Sequence, residues 1–68
     1  MIIYTKENCP YCVKAKQLVP EYTEIVIGKD ITREEFLDLF PNAKTVPQII
    51  IEGEHIGGYT DLVDYFNR

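Results

Sequence analysis

Hydrophobic and polar positions alternate in short blocks along this chain, and the blocks change period in a regular way. Ile2-Ile3-Tyr4-Thr5 is a β-prone run that ends in the turn-like Lys6-Glu7-Asn8, and it predicts a first strand. From Pro10 the period becomes helical, with Cys12, Ala15, Leu18 and Val19 on one face and Pro20 as the stop. Thr23 to Ile27 is β-branched and alternating, which predicts a second strand closed by Gly28. Thr32 to Phe40 reads as a second helix. Thr32 and Glu35 have the spacing of a capping box, and Phe36, Leu37, Leu39 and Phe40 supply the apolar face.

Gln48 to Glu52 carries three consecutive isoleucines and predicts a third strand, turned by Gly53 into a short fourth one over Glu54 to Ile56. Gly57-Gly58 breaks that strand. A last helix follows, with Tyr59, Leu62, Val63 and Phe66 at i, i+3, i+4 and i+7. Strand–helix–strand at the start is best satisfied by a right-handed parallel βαβ unit, and the late strand pair by a hairpin. The expected fold class is therefore α/β, a four-stranded mixed sheet with three helices in the order β-α-β-α-β-β-α. No repeat, linker or low-complexity stretch interrupts it, and residues 1–68 are expected to form one domain.

Composition narrows the chemistry. A chain of 68 residues buries only about 60% of the surface its unfolded form exposes, so it needs an efficient core or a staple. Two cysteines three positions apart would close too small a loop to be that staple. One histidine, His55, makes a metal-held fold unpromising and reads as an ordinary surface residue. The core must come from the 46% of residues that are hydrophobic. A net charge of −4 disfavours nucleic acid as a partner. Lys6, Lys14 and Lys16 nonetheless flank the cysteines, where a small anion would be welcome. There is no run long and apolar enough for a membrane span and no secretory signal in the opening residues, so the expected location is the cytoplasm. In that reducing setting a close cysteine pair points to redox chemistry or to metal.

Cys9-Pro10-Tyr11-Cys12 sits where the first strand hands over to the first helix. Pro10 suits the first helical position, where its missing N–H costs nothing. Cys9 is then the N-cap and Cys12 the third helical residue. A sulfur at an N-cap meets unpaired amides and the positive end of the helix dipole, and both favour thiolate over thiol. The difference matters, because a free thiol with a pKa near ~8.5 is only about 3% thiolate at neutral pH. Thiolate is the attacking species in disulfide exchange, and an acidic thiol is also a good leaving group. The expected roles are attack by Cys9 and resolution by Cys12. The competing reading, half of a zinc or iron–sulfur site, lacks its second pair of ligands.

Two further segments join the cysteine pair. Thr45-Val46-Pro47-Gln48 precedes the third strand, and Gly57-Gly58-Tyr59-Thr60-Asp61 opens the last helix. Together, in this order and over nearly the whole chain, the three segments resemble glutaredoxins of the dithiol type. The resemblance implies a thioredoxin-like fold, glutathione as reducing co-substrate, disulfide-bonded proteins as partners and ribonucleotide reductase as an electron acceptor, in a monomer without metal. It further implies a cis bond before Pro47 and a glutathione groove formed by Lys6, Tyr11, Thr45, Val46, Pro47, Thr60 and Asp61. Within it, Val46 would pair through its backbone with the glutathione cysteine, Lys6 would meet a carboxylate, and Thr60 and Asp61 the γ-glutamyl end. Plainer roles stand beside these. Tyr11 also suits a shield for the helix start, Lys6 a solvated loop and Asp61 a first-turn acid; Tyr59 reads as core. Two other uses of the same residues are an iron–sulfur carrier built on Cys9 of two subunits, and a thioredoxin-like protein reduced by a flavoenzyme. Cys12 and Pro10 count against the first, and the Gly57–Asp61 segment against the second.

Overall fold

The computed structural model describes residues 1–67. Seven elements follow in the expected order: β1 (Ile2–Thr5), α1 (Pro10–Leu18), β2 (Thr23–Val26), α2 (Arg33–Leu39), β3 (Gln48–Ile51), β4 (Glu54–Gly57) and α3 (Tyr59–Phe66). They build one mixed sheet in the order β2-β1-β3-β4. The β1–β2 pair is parallel, as the early βαβ unit requires, while β1–β3 and β3–β4 are antiparallel.

Strand alternation sends successive side chains of the central strands to opposite faces. Ile3 and Ile49 are paired across β1 and β3 and are fully buried with Ala15, Val19 and Leu62, so α1 and α3 cover one face. Tyr4 points the other way, into a cluster with Phe36 and Phe40 that also takes Ile2, Ile25 and Ile50, so α2 covers the second face. The Tyr4 ring meets Phe40 edge-on at a centroid distance of 5.0 Å. A strand buried on both sides reads as an unbroken apolar run, which accounts for Ile49-Ile50-Ile51.

Local chemistry ends the elements where the sequence says it should. Thr32 Oγ1 accepts from the Glu35 amide at 3.0 Å, and Glu35 Oε1 accepts from the Thr32 amide at 2.9 Å, completing the capping box. Those bonds hold the Glu35 carboxyl below its ordinary pKa of 4.5. The β3–β4 turn is the two residues Glu52 and Gly53, with φ of 51° and 80°. A two-residue hairpin with both φ values positive matches the twist of the strands it joins.

Four expected core positions are not core. Leu18, Leu37, Leu39 and Phe66 are all exposed, Leu39 most of all at 58%. α1 ends at Leu18, and the buried residue is the cap that follows, Val19. In α2, Phe36 and the cap Phe40 carry the contact, one turn apart, and the leucines between them face outward. Ile27 and Glu52 fall just outside their strands, and Gly57 lies inside β4 instead of ending it.

One polar cluster braces the sheet near the cysteines. Thr5, only 1% exposed, donates its hydroxyl to Glu24 Oε2 at 2.7 Å, and Lys16 Nζ reaches the same oxygen at 2.9 Å. The Thr5 hydroxyl first, and then Lys16, lower the pKa of Glu24 from its ordinary 4.5. A carboxyl lowered on folding stabilises the protein above its unfolded pKa, and that contribution is lost as pH falls through the folded value. Glu24→Ala should therefore cost about 1–2 kcal/mol at neutral pH in urea unfolding, mostly from the lost bonds of the Glu24 carboxylate to Thr5 and Lys16. The deficit should shrink as the pH drops below about 4.5. A deficit that stays constant through acid pH would remove the carboxylate from the explanation.

Candidate redox site

Asn8, in the left-handed region at φ 58°, turns the chain from β1 so that Cys9 caps α1. Pro10 follows at the first helical position. The Cys12 amide points at Cys9 Sγ at 3.2 Å, the N-cap geometry expected from the sequence with sulfur in the place of oxygen. Cys9 and Cys12 are joined as a disulfide, their Cα atoms 5.2 Å apart. Both are buried, Cys12 more so at 2% exposed against 8%.

Across from the disulfide runs the loop before β3. The Val46–Pro47 bond is cis. Val46 presents its carbonyl oxygen 3.7 Å from Cys9 Sγ. Among the described residues, the one backbone–backbone hydrogen bond inside segment 41–47 and its junction with α2 runs from the Ala43 amide to the Phe40 carbonyl at 3.0 Å. Among the described residues the Val46 amide has no hydrogen-bond partner, and the Val46 carbonyl is the group beside the redox sulfur.

That loop forms one wall of a cleft of about 720 Å³, lined also by Tyr11, Thr60 and Asp61 and by the end of α2. Six of the expected groove residues therefore come together: Tyr11, Thr45, Val46, Pro47, Thr60 and Asp61. The Tyr11 ring is exposed but not loose. It lies 5.6 Å from the Tyr59 ring, with Lys14 Nζ 5.0 Å from its own centroid. Tyr59 consequently serves both the core and the cleft. Lys6 is placed differently. It lines a second hollow, together with Lys16 and Glu24. Cys9 lines this hollow directly, and it reaches the cleft wall through the Val46 carbonyl.

Asp61 has a structural partner of its own. Its Oδ2 accepts from the Gly58 amide at 3.0 Å, capping α3 by reaching backwards. Gly57 (φ 125°) leaves room for this carboxylate, because a Cβ on that residue would collide with it. Asp61 is thus a first-turn acid that also faces the cleft.

His55 is exposed, as its reading as a surface residue expects, but it is not without partners. Its Nε2 lies 2.7 Å from Gln48 Oε1, its ring packs 4.6 Å from Phe40, and it lines the cleft. A signal for this was present. The Glu52-Gly53 turn sets His55 opposite Ile50, on the same face as Gln48. Among the described residues no three His, Cys, Asp or Glu side chains gather as a metal-binding group, and no helix is long and apolar enough to cross a membrane.

A disulfide at a helix N-terminus, facing a cis-proline loop across a mixed β2-β1-β3-β4 sheet, defines a thiol–disulfide oxidoreductase with a thioredoxin-like fold. The glutaredoxin family model matches residues 1–56, and the chain belongs to the glutaredoxin family. It is 45% identical over 71 residues to glutaredoxin 1 of Rickettsia felis, covering 94% of this chain and 69% of that protein. It is also 44% identical over 68 residues to the hybrid peroxiredoxin hyPrx5 of Haemophilus influenzae. That match takes in 94% of this chain but only 28% of the longer relative. Among solved structures, glutaredoxin 1 from Francisella tularensis, complexed with cacodylate, superposes with a TM-score of 0.83 at 38% identity, covering 97% of this chain and 90% of that one. The buckwheat glutaredoxin–glutathione complex gives a TM-score of 0.79 at 26% identity, covering 97% and 66%.

Proposed function

We propose that this chain, as one domain over residues 1–68, reduces glutathione mixed disulfides and protein disulfides with glutathione as its reductant. The observation that carries this reading is the Val46 carbonyl 3.7 Å from Cys9 Sγ, on a residue whose amide has no partner among the described residues and whose next residue is a cis-proline. A peptide-like substrate bearing a sulfur can lie there as an added strand, its own amide and carbonyl meeting the Val46 backbone and its sulfur meeting Cys9. Glutathione has that shape. Tyr11, Thr45 and Pro47 would flank its cysteine, and Thr60 and Asp61 its γ-glutamyl end. Asp61 would use the oxygen that does not cap Gly58. Lys6 approaches from the second hollow and would meet a carboxylate extending past Cys9.

The chemistry balances in two exchanges. The Cys9 thiolate attacks a substrate disulfide, forming a mixed disulfide and releasing one substrate thiolate. Either the Cys12 thiolate then attacks Cys9 Sγ, closing the disulfide seen here and expelling the second substrate thiolate, or a glutathione thiolate attacks the glutathione sulfur of the adduct, freeing the Cys9 thiolate and leaving as glutathione disulfide. Two glutathione molecules restore the dithiol and leave as glutathione disulfide. Ribonucleotide reductase is a protein acceptor of suitable chemistry, and the reducing cytoplasm is the compartment that supplies the donor. We place the protein there as a monomer.

The test is turnover of a small glutathionylated substrate, coupled either to glutathione or to a flavoenzyme thioredoxin reductase. Activity with glutathione and none with the reductase alone is expected. The opposite result would assign the chain to the thioredoxin-like mode of reduction.

A further inference from the structure

We infer that His55 is a positioning residue for the cleft: through Gln48 it holds the Thr45–Val46–Pro47 wall against Cys9. The inference rests on the proposed function for its catalytic consequence, and on geometry for the brace itself.

Gln48 is a polar residue at the head of a buried strand, only 6% exposed. Its Nε2 donates to the Thr45 carbonyl at 2.8 Å. A carbonyl only accepts, so this bond fixes which end of the amide is which. Oε1 then faces His55 Nε2 at 2.7 Å and must accept, so His55 carries its proton on Nε2 in the neutral ring. The ring is in turn set by Phe40, the buried cap of α2. The connected path is Phe40, His55, Gln48, the Thr45 carbonyl, and then Val46 with its carbonyl 3.7 Å from Cys9 Sγ.

Pro47 is fully buried and Val46 packs against the Tyr4–Phe36–Phe40 cluster, but hydrogen bonding gives the wall little else among the described residues. Within its loop the backbone bonds to itself only at Ala43 and Phe40, before Thr45 is reached. Losing the Gln48–Thr45 bond, or letting the Gln48 amide rotate, would free the Val46 edge on which a strand-like substrate must align. A misaligned edge weakens substrate binding more than it slows sulfur exchange, because the sulfur nucleophile is set separately by α1.

Two variants divide the histidine into its parts. His55→Phe keeps an aromatic ring against Phe40 and removes the donor. His55→Gln places an amide N–H near the Nε2 position and removes the ring. With a glutathionylated peptide as substrate, His55→Phe should raise KM about fivefold with kcat within about twofold, the scale of one lost hydrogen bond. His55→Gln should return KM to within about twofold of wild type. An unchanged KM in His55→Phe, or rescue that follows the ring instead of the donor, would overturn the proposal. Long-range nitrogen–proton NMR of the wild-type chain reads the brace without any substrate. It should show neutral His55 protonated on Nε2 and the Gln48 side-chain amide protected from exchange. A proton on Nδ1 would overturn the brace. If the wild type turns over no glutathionylated substrate, the functional reading fails, and the NMR result alone then decides the brace.

Discussion

Cys9→Ser should lose disulfide exchange by at least about 10³-fold, while Cys12→Ser should keep turnover of small glutathione mixed disulfides within about tenfold of wild type. The asymmetry comes from where α1 begins. Cys9 is the N-cap, its sulfur receives the Cys12 amide at 3.2 Å, and it lines the second hollow with the Val46 carbonyl 3.7 Å away. A serine there accepts the same hydrogen bond but stays protonated, so the helix end has no anion to present. Cys12 is 2% exposed and inside the first turn. Its sulfur can reach Cys9 but not an incoming substrate. Protein disulfides should depend more on Cys12, because a bulky mixed disulfide is slow to be resolved from outside. The measurement is steady-state reduction of both substrate types by the two variants. Equal losses in both variants on the small substrate would contradict the separate roles.

Ile49→Ala should cost about 2–5 kcal/mol, a large part of the roughly 3–10 kcal/mol expected for a chain of this length. Ile49 is fully buried, pairs with Ile3 across the two central strands and lies in the cluster with Ala15 and Leu62. That cluster is where α1, α3 and the sheet meet, so a cavity there has no flexible wall to collapse against. The loss corresponds to a melting temperature lowered by about 10–30 °C. Ile49→Val, which removes one methylene, should cost about 0.5–1.5 kcal/mol. Thermal and urea unfolding of both variants check this, and similar losses in the two would place Ile49 outside the main core. Because Pro47 and Gln48 directly precede it, a partly folded Ile49→Ala should also lose its cleft before its secondary structure.

The parts legible in the sequence are those written in local chemistry. Pro10 after Cys9, the Thr32–Glu35 box and the glycine at 53 each act within a few residues, and each ends or turns an element where expected. The order of elements followed from them, and with it the parallel pair and the hairpin. The apolar faces of the helices were less legible. α1, α2 and α3 have nine, seven and eight residues, so each turns only about twice. Over so few turns, a leucine one position from the true face fits the helical spacing nearly as well as one on it. Leu37 and Leu39 show this, since the contact is made by Phe36 and Phe40 on either side.

The site divides in the same way. Cys9 and Cys12 were readable because their chemistry depends on the helix start, which is local. The meeting of Tyr11, Thr45 and Thr60 depends on how distant segments pack, and only the family resemblance foretold it. Lys6 shows where a shared neighbourhood in sequence is not a shared wall, because it lines the second hollow with Cys9 and not the main cleft. His55 was overlooked because one histidine has no period to reveal its face. Its partner Gln48 becomes visible only once the two-residue turn fixes the strand register.

The central claim is that Cys9 exchanges with glutathione at the Val46 edge, and trapping tests it most directly. Cys12→Ser incubated with glutathione disulfide should gain one glutathione by intact mass, with the adduct mapped by peptide analysis to Cys9 and released by added glutathione. Failure of the folded variant to form the adduct, or to release it to glutathione, would contradict the account.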